Sequence, residues 1–150
     1  MSLGVAEMSS SNRGTVSAGQ DLRLVGPDGV IVALRVGLHY STKDPYAVKM
    51  TFDAGTGEPV EWAFSRDLLA AALDSRQGIG DVRVWPSAPS AGGKKILNIM
   101  LGPPGGWARF EASAAGIEAF LAPTFELVPA GQESDCLDLD AELAELLSQA

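Results

Sequence analysis

The sequence has few of the residues from which catalytic and metal sites are built. Its 150 residues include one cysteine, Cys136, and one histidine, His39. A single cysteine excludes an internal disulfide framework. Any histidine-based metal site or Ser-His-Asp relay would depend on His39, yet no second ligand lies at metal-binding spacing and no nucleophile elbow is present. The sequence therefore predicts a non-enzymatic protein without catalytic, cofactor-binding or metal-binding residues.

Long apolar runs are also missing. No stretch approaches the roughly 18 apolar residues of a transmembrane helix, and the N-terminus lacks the basic and apolar regions of a signal peptide. The chain is 46% hydrophobic and 20% charged, which is typical of a globular protein. We expect a cytoplasmic protein in which residues 1–14 are a flexible leader or an expression remnant. Residues 15–150 are expected to form a single domain that ends in an acidic helix.

Basic residues are absent from the C-terminal part of the chain. The net charge is −8, and residues 126–150 carry seven acidic side chains and no basic one. An acidic chain repels phosphate backbones, which basic patches attract through counterion release. This balance disfavours a nucleic-acid partner.

Apolar residues are plentiful, and in several stretches they occupy every second position. Alternating apolar residues and turn signals predict seven strands, at 15–24, 30–40, 46–52, 60–64, 81–85, 95–101 and 107–112. The second, third and fourth strands should form an antiparallel meander. Strand 30–40 carries a mixed second face, which can meet solvent or another subunit and consists of Ile31, Ala33, Arg35, Gly37 and His39.

Capping residues and apolar stripes predict three helices. The first begins after Ser65 and ends near Asp74, and the second begins after Ser113 and is closed by Pro123. Residues 126–135 are expected to be a linker, and a third helix follows Asp140. The sequence thus predicts an α+β domain of mainly antiparallel sheet.

Two apolar surfaces are candidates for contacts between proteins. Strand 95–101 is largely apolar on both faces, so it is either a central strand covered twice or part of an oligomer contact. The C-terminal helix has one continuous apolar stripe. The candidate oligomer or partner surface consists of Leu97, Ile99, Leu101, Leu139, Leu143, Leu146 and Leu147.

Three blocks carry a family resemblance. The pieces DPYAV (44–48), VEWAFSRDLL (60–69) and GDVRVWP (80–86) occur in the order and spacing of the SsgA-like proteins. This chain therefore resembles that family of actinomycete sporulation and cell-division regulators, with the SsgB type nearest.

The resemblance implies a structure and a set of partners. It implies a fold similar to the Whirly and mitochondrial RNA-binding proteins, and a homotrimer. It also implies a protein at the cell septum that marks septum sites, binds the tubulin-like protein FtsZ and promotes FtsZ assembly. An SsgA-type relative would position it, and any membrane link would be indirect.

The alternative hypothesis is a module that binds single-stranded nucleic acid, as Whirly-like relatives of the implied fold do. Such modules stack bases on aromatic rings along a positive groove. Trp85 lies near Arg83, and Trp107 lies near Arg109, on the outward sides of their strands. Even with Lys94 and Lys95, these basic residues are few against a net charge of −8.

Overall fold

The structure, a computed structural model, describes residues 14–52, 58–88, 93–102 and 106–136. These residues form eight strands, two α-helices and a 3₁₀ turn. The elements are β1 (Thr15–Val25), β2 (Ile31–Ser41), β3 (Asp44–Phe52), β4 (Val60–Ser65), α1 (Arg66–Ala72), β5 (Gln77–Ile79), β6 (Val82–Pro86), β7 (Ile96–Leu101), β8 (Ala108–Ser113), α2 (Ala114–Leu127) and the 3₁₀ turn (Glu133–Cys136).

All eight strands belong to one antiparallel sheet, which confirms the predicted α+β class. The strand order is β4-β3-β2-β1-β8-β7-β6-β5. Each half of the sheet is a four-stranded meander that is followed by a helix. The halves join where residues 22–25 of β1 pair with residues 109–112 of β8. The predicted meander of strands two to four corresponds to β2, β3 and β4.

The core lies between one face of this sheet and both helices. We call this side the core face, and its opposite the outer face. On β2, Val36, Leu38 and Tyr40 are buried on the core face, whereas the alternate residues Gly37 and His39 are exposed. The buried side chains of the two helices belong to the same cluster. The alternation of apolar residues along β2 therefore indicates correctly which face of the sheet is covered by the helices.

Both predicted helix starts are confirmed by their capping bonds. The backbone N–H of Leu68 donates to Ser65 Oγ at 3.1 Å, and that of Gly116 donates to Ser113 Oγ at 3.1 Å. The stop at Pro123 is wrong, because α2 continues to Leu127 with Pro123 inside it. The proline removes one backbone donor, but the helix is held beyond it by contacts from elsewhere in the chain.

The predicted number of strands is wrong by one. Residues 77–79, which lie outside the seven predicted strands, form β5, which pairs with β6. Gly80 makes the connection with a φ of 56°, in the left-handed region that glycine adopts readily. The predicted third helix and residues 1–13 of the predicted leader lie outside the described residues.

The predicted linker at residues 126–135 instead contains the end of α2 and Glu133, the acidic partner of a buried ion pair. Arg66 is fully buried at the start of α1, and its Nη2 donates to Glu133 Oε2 at 2.9 Å. Its Nη1 donates to the carbonyl oxygens of Thr124 and Val128, each at 2.9 Å. Arg66 thus gives the Val128 carbonyl a partner at the end of α2. It adds a second bond to the Thr124 carbonyl, which also accepts from the backbone N–H of Val128 at 2.9 Å. We call Arg66 and Glu133 the buried ion pair.

Two aromatic rings enclose the buried ion pair. The guanidinium carbon of Arg66 lies 4.1 Å from the ring centroid of Phe125 and 4.9 Å from that of Tyr40. The Tyr40 hydroxyl donates to the carbonyl of Pro45 at 2.9 Å. Burial raises the pKa of Tyr40 to about 12, although Arg66 opposes the shift. The tyrosine therefore stays a neutral hydrogen-bond donor at physiological pH.

The buried ion pair predicts a loss of stability in acid. The hydrogen bond from Arg66 is the main reason that the pKa of Glu133 lies below its usual value of 4.5. A carboxyl whose pKa is lowered on folding contributes stability above its unfolded pKa and loses it as the pH falls through its folded pKa. We expect urea unfolding at a series of pH values to show a shallower loss of stability below pH 4.5 in Glu133→Gln than in the natural sequence.

Glu61→Gln is the matched control, because Glu61 is exposed on β4. It should follow the natural sequence across the pH series. Equal slopes for Glu133→Gln and the natural sequence would show that Glu133 has no such linkage.

Candidate partner surface

The outer face is the large surface that no helix of the described residues covers. Both α1 and α2 contribute their buried side chains to the core on the opposite side. Along β2 the outer-face residues are all exposed, namely Ile31, Ala33, Arg35, Gly37 and His39. This is the mixed face that the sequence assigned to solvent or to another subunit. The outer face is therefore the candidate surface for binding a partner.

An apolar and basic patch occupies one end of the outer face. Trp107 is 52% exposed and Ile31 is 50% exposed. Strand register places Val25 between Ile31 and Arg109, and Met100 between Arg109 and Arg83. We call this surface the Trp107 patch, and it consists of Val25, Ile31, Arg83, Met100, Trp107 and Arg109.

The Trp107 ring is held in place by packing against Arg83 and Gly102. The guanidinium carbon of Arg83 lies 4.8 Å from the Trp107 ring centroid, which is a cation–π distance. The Trp107 ring also lies against Gly102, where an added Cβ would stand 2.9 Å from the ring carbons Cη2 and Cζ3. Tryptophan, arginine and methionine are enriched in the centres of protein interfaces. The composition and exposure of the patch therefore fit a protein partner.

A polar network borders the Trp107 patch. Arg109 Nη1 donates to Asn98 Oδ1 at 3.0 Å and to Glu111 Oε2 at 3.2 Å. Arg23 Nη2 donates to Glu111 Oε1 at 2.7 Å, and the Asn98 amide donates to the carbonyl of Trp85 at 3.3 Å. These bonds fix the arginine side chains before any partner arrives, which lowers the entropy lost on binding.

The same contacts weaken the case for single-stranded nucleic acid. Arg76 lies over the Trp85 ring at 4.8 Å, so one face of that ring is already stacked. Arg109 is committed to Glu111, and Lys95 Nζ donates to the carbonyl of Leu73 at 2.7 Å. Of the basic side chains that would meet phosphates, Arg109 and Lys95 are thus engaged within the chain, whereas Lys94 is exposed.

The residues that the sequence assigned to a partner surface lie elsewhere. Strand β7 is an inner strand between β6 and β8, and Leu97, Ile99 and Leu101 are 0%, 0% and 2% exposed on its core face. Their apolar character is accounted for by the core of the chain itself. The other four candidates, Leu139, Leu143, Leu146 and Leu147, lie outside the described residues.

The outer face of β7 is covered partly by the polar network. Asn98 is 5% exposed, whereas Ile96 and Met100 are half-buried. Sequence reasoning placed Ile31 on the mixed face of β2 but did not connect it with Met100 and Trp107, because the patch forms only when β1, β2, β6, β7 and β8 are in register. The one available signal was the pairing of outward tryptophans with nearby arginines.

The described residues offer no site for a metal. His39 is exposed on β2, and a hydrogen bond of 2.9 Å joins its Nδ1 to Ser17 Oγ. No group of three histidine, cysteine, aspartate or glutamate side chains comes together in this part of the chain. None of the helices described is both long and apolar enough to cross a membrane.

The fold defines a class: among the described residues, an α+β protein of one antiparallel sheet, with both α-helices on one face and the other face left uncovered by them. The family model described as "Streptomyces sporulation and cell division protein, SsgA" matches residues 34–133. The chain belongs to this SsgA family.

Relatives and solved structures agree with this assignment. The chain is 48% identical to the sporulation-specific cell division protein SsgB of Thermobifida fusca, over 93% of this chain and 99% of that protein. It is 46% identical to SsgB of Streptomyces coelicolor, over 91% and 98% of the two chains.

The fold is likewise shared. An SsgA-like sporulation-specific cell division protein from Thermobifida fusca matches with a TM-score of 0.79 and 47% identity, over 89% of this chain and 97% of that one. A structure reported with SsgB mutations that correlate to longitudinal cell division in Streptomyces coelicolor matches with a TM-score of 0.75 and 47% identity, over 81% and 94%. The predicted family is confirmed, and the relatives compared above include proteins of the predicted SsgB type.

Proposed function

We propose that this protein is a non-enzymatic regulator of sporulation-specific cell division that marks septum sites, recruits FtsZ and promotes FtsZ assembly. One observation carries the proposal: the chain aligns over 93% of its length with a relative named for sporulation-specific cell division. The Trp107 patch supplies a surface of suitable composition. The identity of the partner comes from the family resemblance, as do an SsgA-type relative that positions the protein and an indirect membrane link.

The proposed mechanism is multivalent binding by an oligomer. A homotrimer would present several copies of one weak contact to a filament that repeats its own surface. The second and third contacts then form at a high effective concentration, so that avidity exceeds the affinity of one site. From the family resemblance, we also propose that the fold is similar to that of the Whirly and mitochondrial RNA-binding proteins.

The mechanism predicts strong binding to FtsZ polymer and weak binding to FtsZ monomer. We expect co-sedimentation with polymer, and little complex with monomer when the two are mixed without nucleotide and followed by light scattering. Trp107→Glu should weaken polymer binding tenfold or more, because losing a central interface tryptophan costs about 2 kcal/mol. Ile79→Glu is the matched control, since Ile79 is 68% exposed on β5, outside the Trp107 patch.

Each outcome decides a different point. Equal affinity for monomer and polymer would contradict multivalency. Equal losses in Trp107→Glu and Ile79→Glu would contradict the Trp107 patch as the contact. A change in the subunit number of Trp107→Glu would assign the patch to self-association instead.

A further inference from the structure

Two exposed arginines lie against tryptophan rings on the outer face, in the half of the sheet formed by β5 to β8. The guanidinium carbon of Arg76 lies 4.8 Å from the Trp85 ring centroid, and that of Arg83 lies 4.8 Å from the Trp107 ring centroid. Both arginines are exposed. We call these four side chains the Arg–Trp ladder. It includes Arg83 and Trp107 of the Trp107 patch and extends that patch to the β5 edge of the sheet.

Two glycines make room for the stack of Arg83 on Trp107. Continuing the pairing of β7 with β8 by one residue places Trp107 opposite Gly102. Because Gly102 has no side chain, the indole ring lies over its backbone, where an added Cβ would stand 2.9 Å from the ring. Gly78 lies opposite Arg83, and the Cγ atom of Arg83 is 3.5 Å from the position of a Cβ at Gly78. Both partners of the stack are therefore ordered before a ligand arrives, which lowers the entropy lost on binding.

The arginines of the ladder keep hydrogen-bond donors for a partner. Neither Arg76 nor Arg83 belongs to an ion pair among the described residues, whereas Arg23 and Arg109 share Glu111. A ring that lies against the face of a guanidinium leaves open the N–H groups at its edge, which match the fork of a carboxylate. Contact with the ring also removes water from one side of the charge, which strengthens an ion pair. The ladder is therefore suited to binding carboxylates.

The region around the ladder is positive, although the chain carries −8 overall. On the outer face of β6, β7, β8 and the adjoining end of β1, the charged side chains are Arg23, Arg83, Arg109 and Glu111. Arg76 adds a further positive charge beside Trp85. Asp74 and Asp81 are the nearest acidic residues in sequence, and neither forms an ion pair with the ladder. The balance stays positive even when both are counted, so an acidic segment is complementary in charge.

The spacing of the ladder matches that of an extended peptide. Arg76 immediately precedes β5 and stands beside Trp85, one same-face row away from Arg83. Successive same-face rows of a sheet are about 6.6 Å apart, and alternate side chains of an extended peptide have the same spacing. Two carboxylates at alternate positions of such a peptide can therefore meet the two arginines.

Single-stranded nucleic acid fits the ladder less well. Bases stack on free ring faces, and an arginine already covers one face of Trp85 and one face of Trp107. A long polyanion is also repelled by the acidic residues 126–150, which hold most of the net charge. A short acidic segment is affected mainly by charges within about 8 Å, the screening length at physiological salt.

We propose that the Arg–Trp ladder binds an extended, acidic segment of a protein partner, with carboxylates at alternate positions that pair with Arg76 and Arg83. This inference deepens the proposed function. It rests on that function for the use of this surface in recruitment, and it adds the chemistry that a recruited protein presents.

Peptide titration of the full chain, followed by NMR, tests the proposal without FtsZ. The probe is acetyl-ESESE-amide, whose glutamates occupy alternate positions, and its control is acetyl-QSQSQ-amide. We expect saturable shifts of the indole N–H signals of Trp85 and Trp107 with the acidic peptide, and shifts several-fold smaller with the control. The indole signal of Trp62, which packs against the core, should not move. Between about 0.01 M and about 1 M salt the screening length falls from about 30 Å to about 3 Å, so the shifts should decrease several-fold.

Single substitutions assign the contacts. At saturating peptide, Arg83→Gln should remove most of the peptide-induced shift of Trp107 and keep most of that of Trp85. Arg76→Gln should do the reverse. Arg35→Gln is the matched control, because Arg35 is an exposed arginine of the same face whose guanidinium is already in an ion pair. It should bind the peptide like the natural sequence.

Three results would overturn the proposal. These are shifts no larger with the acidic peptide than with its control, shifts that survive both ladder substitutions, and tighter binding of a pentathymidylate oligonucleotide to the same two indoles. The last result would assign the ladder to nucleic acid. Because FtsZ is absent from these titrations, their failure would remove the acidic segment and leave FtsZ recruitment to the co-sedimentation test. Peptide binding in a chain that does not co-sediment with FtsZ would contradict the proposed function alone.

Discussion

Replacing Arg66 with methionine is expected to lower the free energy of unfolding by about 3–5 kcal/mol. The change leaves the Glu133 carboxylate, 5% exposed, without its partner. It also removes the donor to the carbonyls of Thr124 and Val128 at the end of α2. Leaving a buried charge unpaired costs far more than the net value of an intact pair, because the desolvation penalty is no longer offset. Urea unfolding at neutral pH measures the difference.

Arg23→Met is the matched control for this prediction. Arg23 also pairs with a glutamate, Glu111, at 2.7 Å, but its side chain is 54% exposed. Exposed ion pairs contribute about 0–1 kcal/mol. The Arg66→Met/Glu133→Leu double variant should regain part of the lost stability, because no charge is then left buried. A loss below about 1 kcal/mol for Arg66→Met would show that the buried ion pair does not hold α2 against α1.

The features that the sequence predicted correctly are set by short-range chemistry. The alternation in residues 30–40 fixes which side chains of β2 are buried, because successive side chains of a strand point to opposite faces. Ser65 and Ser113 cap their helices through bonds to residues only three positions away. Both signals can be read in a short window without knowledge of the rest of the chain.

The features that escaped prediction depend on residues far apart in the sequence. Arg66 and Glu133 are separated by 67 positions, so nothing local marks residues 126–135 as more than a linker. Beyond Pro123, the end of α2 likewise receives long-range bonds, from Arg66 to the carbonyls of Thr124 and Val128. Strand β5 has three residues, too few for a period of two to show. Propensity and patterning report local preference, and these elements are decided by tertiary contacts.

The same limit explains why the partner surface predicted from the sequence included core residues of strand 95–101. The sequence showed that strand 95–101 is apolar on both faces, but burial by neighbouring strands and helices looks the same in a sequence as burial by a partner. The outward position of Trp107 near basic residues was visible from alternation alone. Its stacking with Arg83 was not, because the two residues meet only through the pairing of β6, β7 and β8.

Ile99→Ala is expected to lower the free energy of unfolding by about 2–5 kcal/mol without changing the subunit number. Ile99 is fully buried and lies between Val84 and Phe110 across three neighbouring strands. Removing its outer carbons leaves a cavity that a rigid sheet closes only in part, so lost packing adds to the lost burial of apolar surface. Urea unfolding gives the stability, and light scattering on the same sample gives the mass.

Ile79→Ala serves as the control, because Ile79 is a strand residue that is 68% exposed and its truncation should change stability by no more than about 0.5 kcal/mol. The pair of measurements separates the two interpretations of β7 that its sequence allows. A core strand loses stability and keeps its assembly, since the missing atoms faced the helices of the same subunit. If Ile99→Ala instead lowered the measured mass at unchanged subunit stability, then this strand would face a partner, and the proposed partner surface would have to be moved from the Trp107 patch to β7.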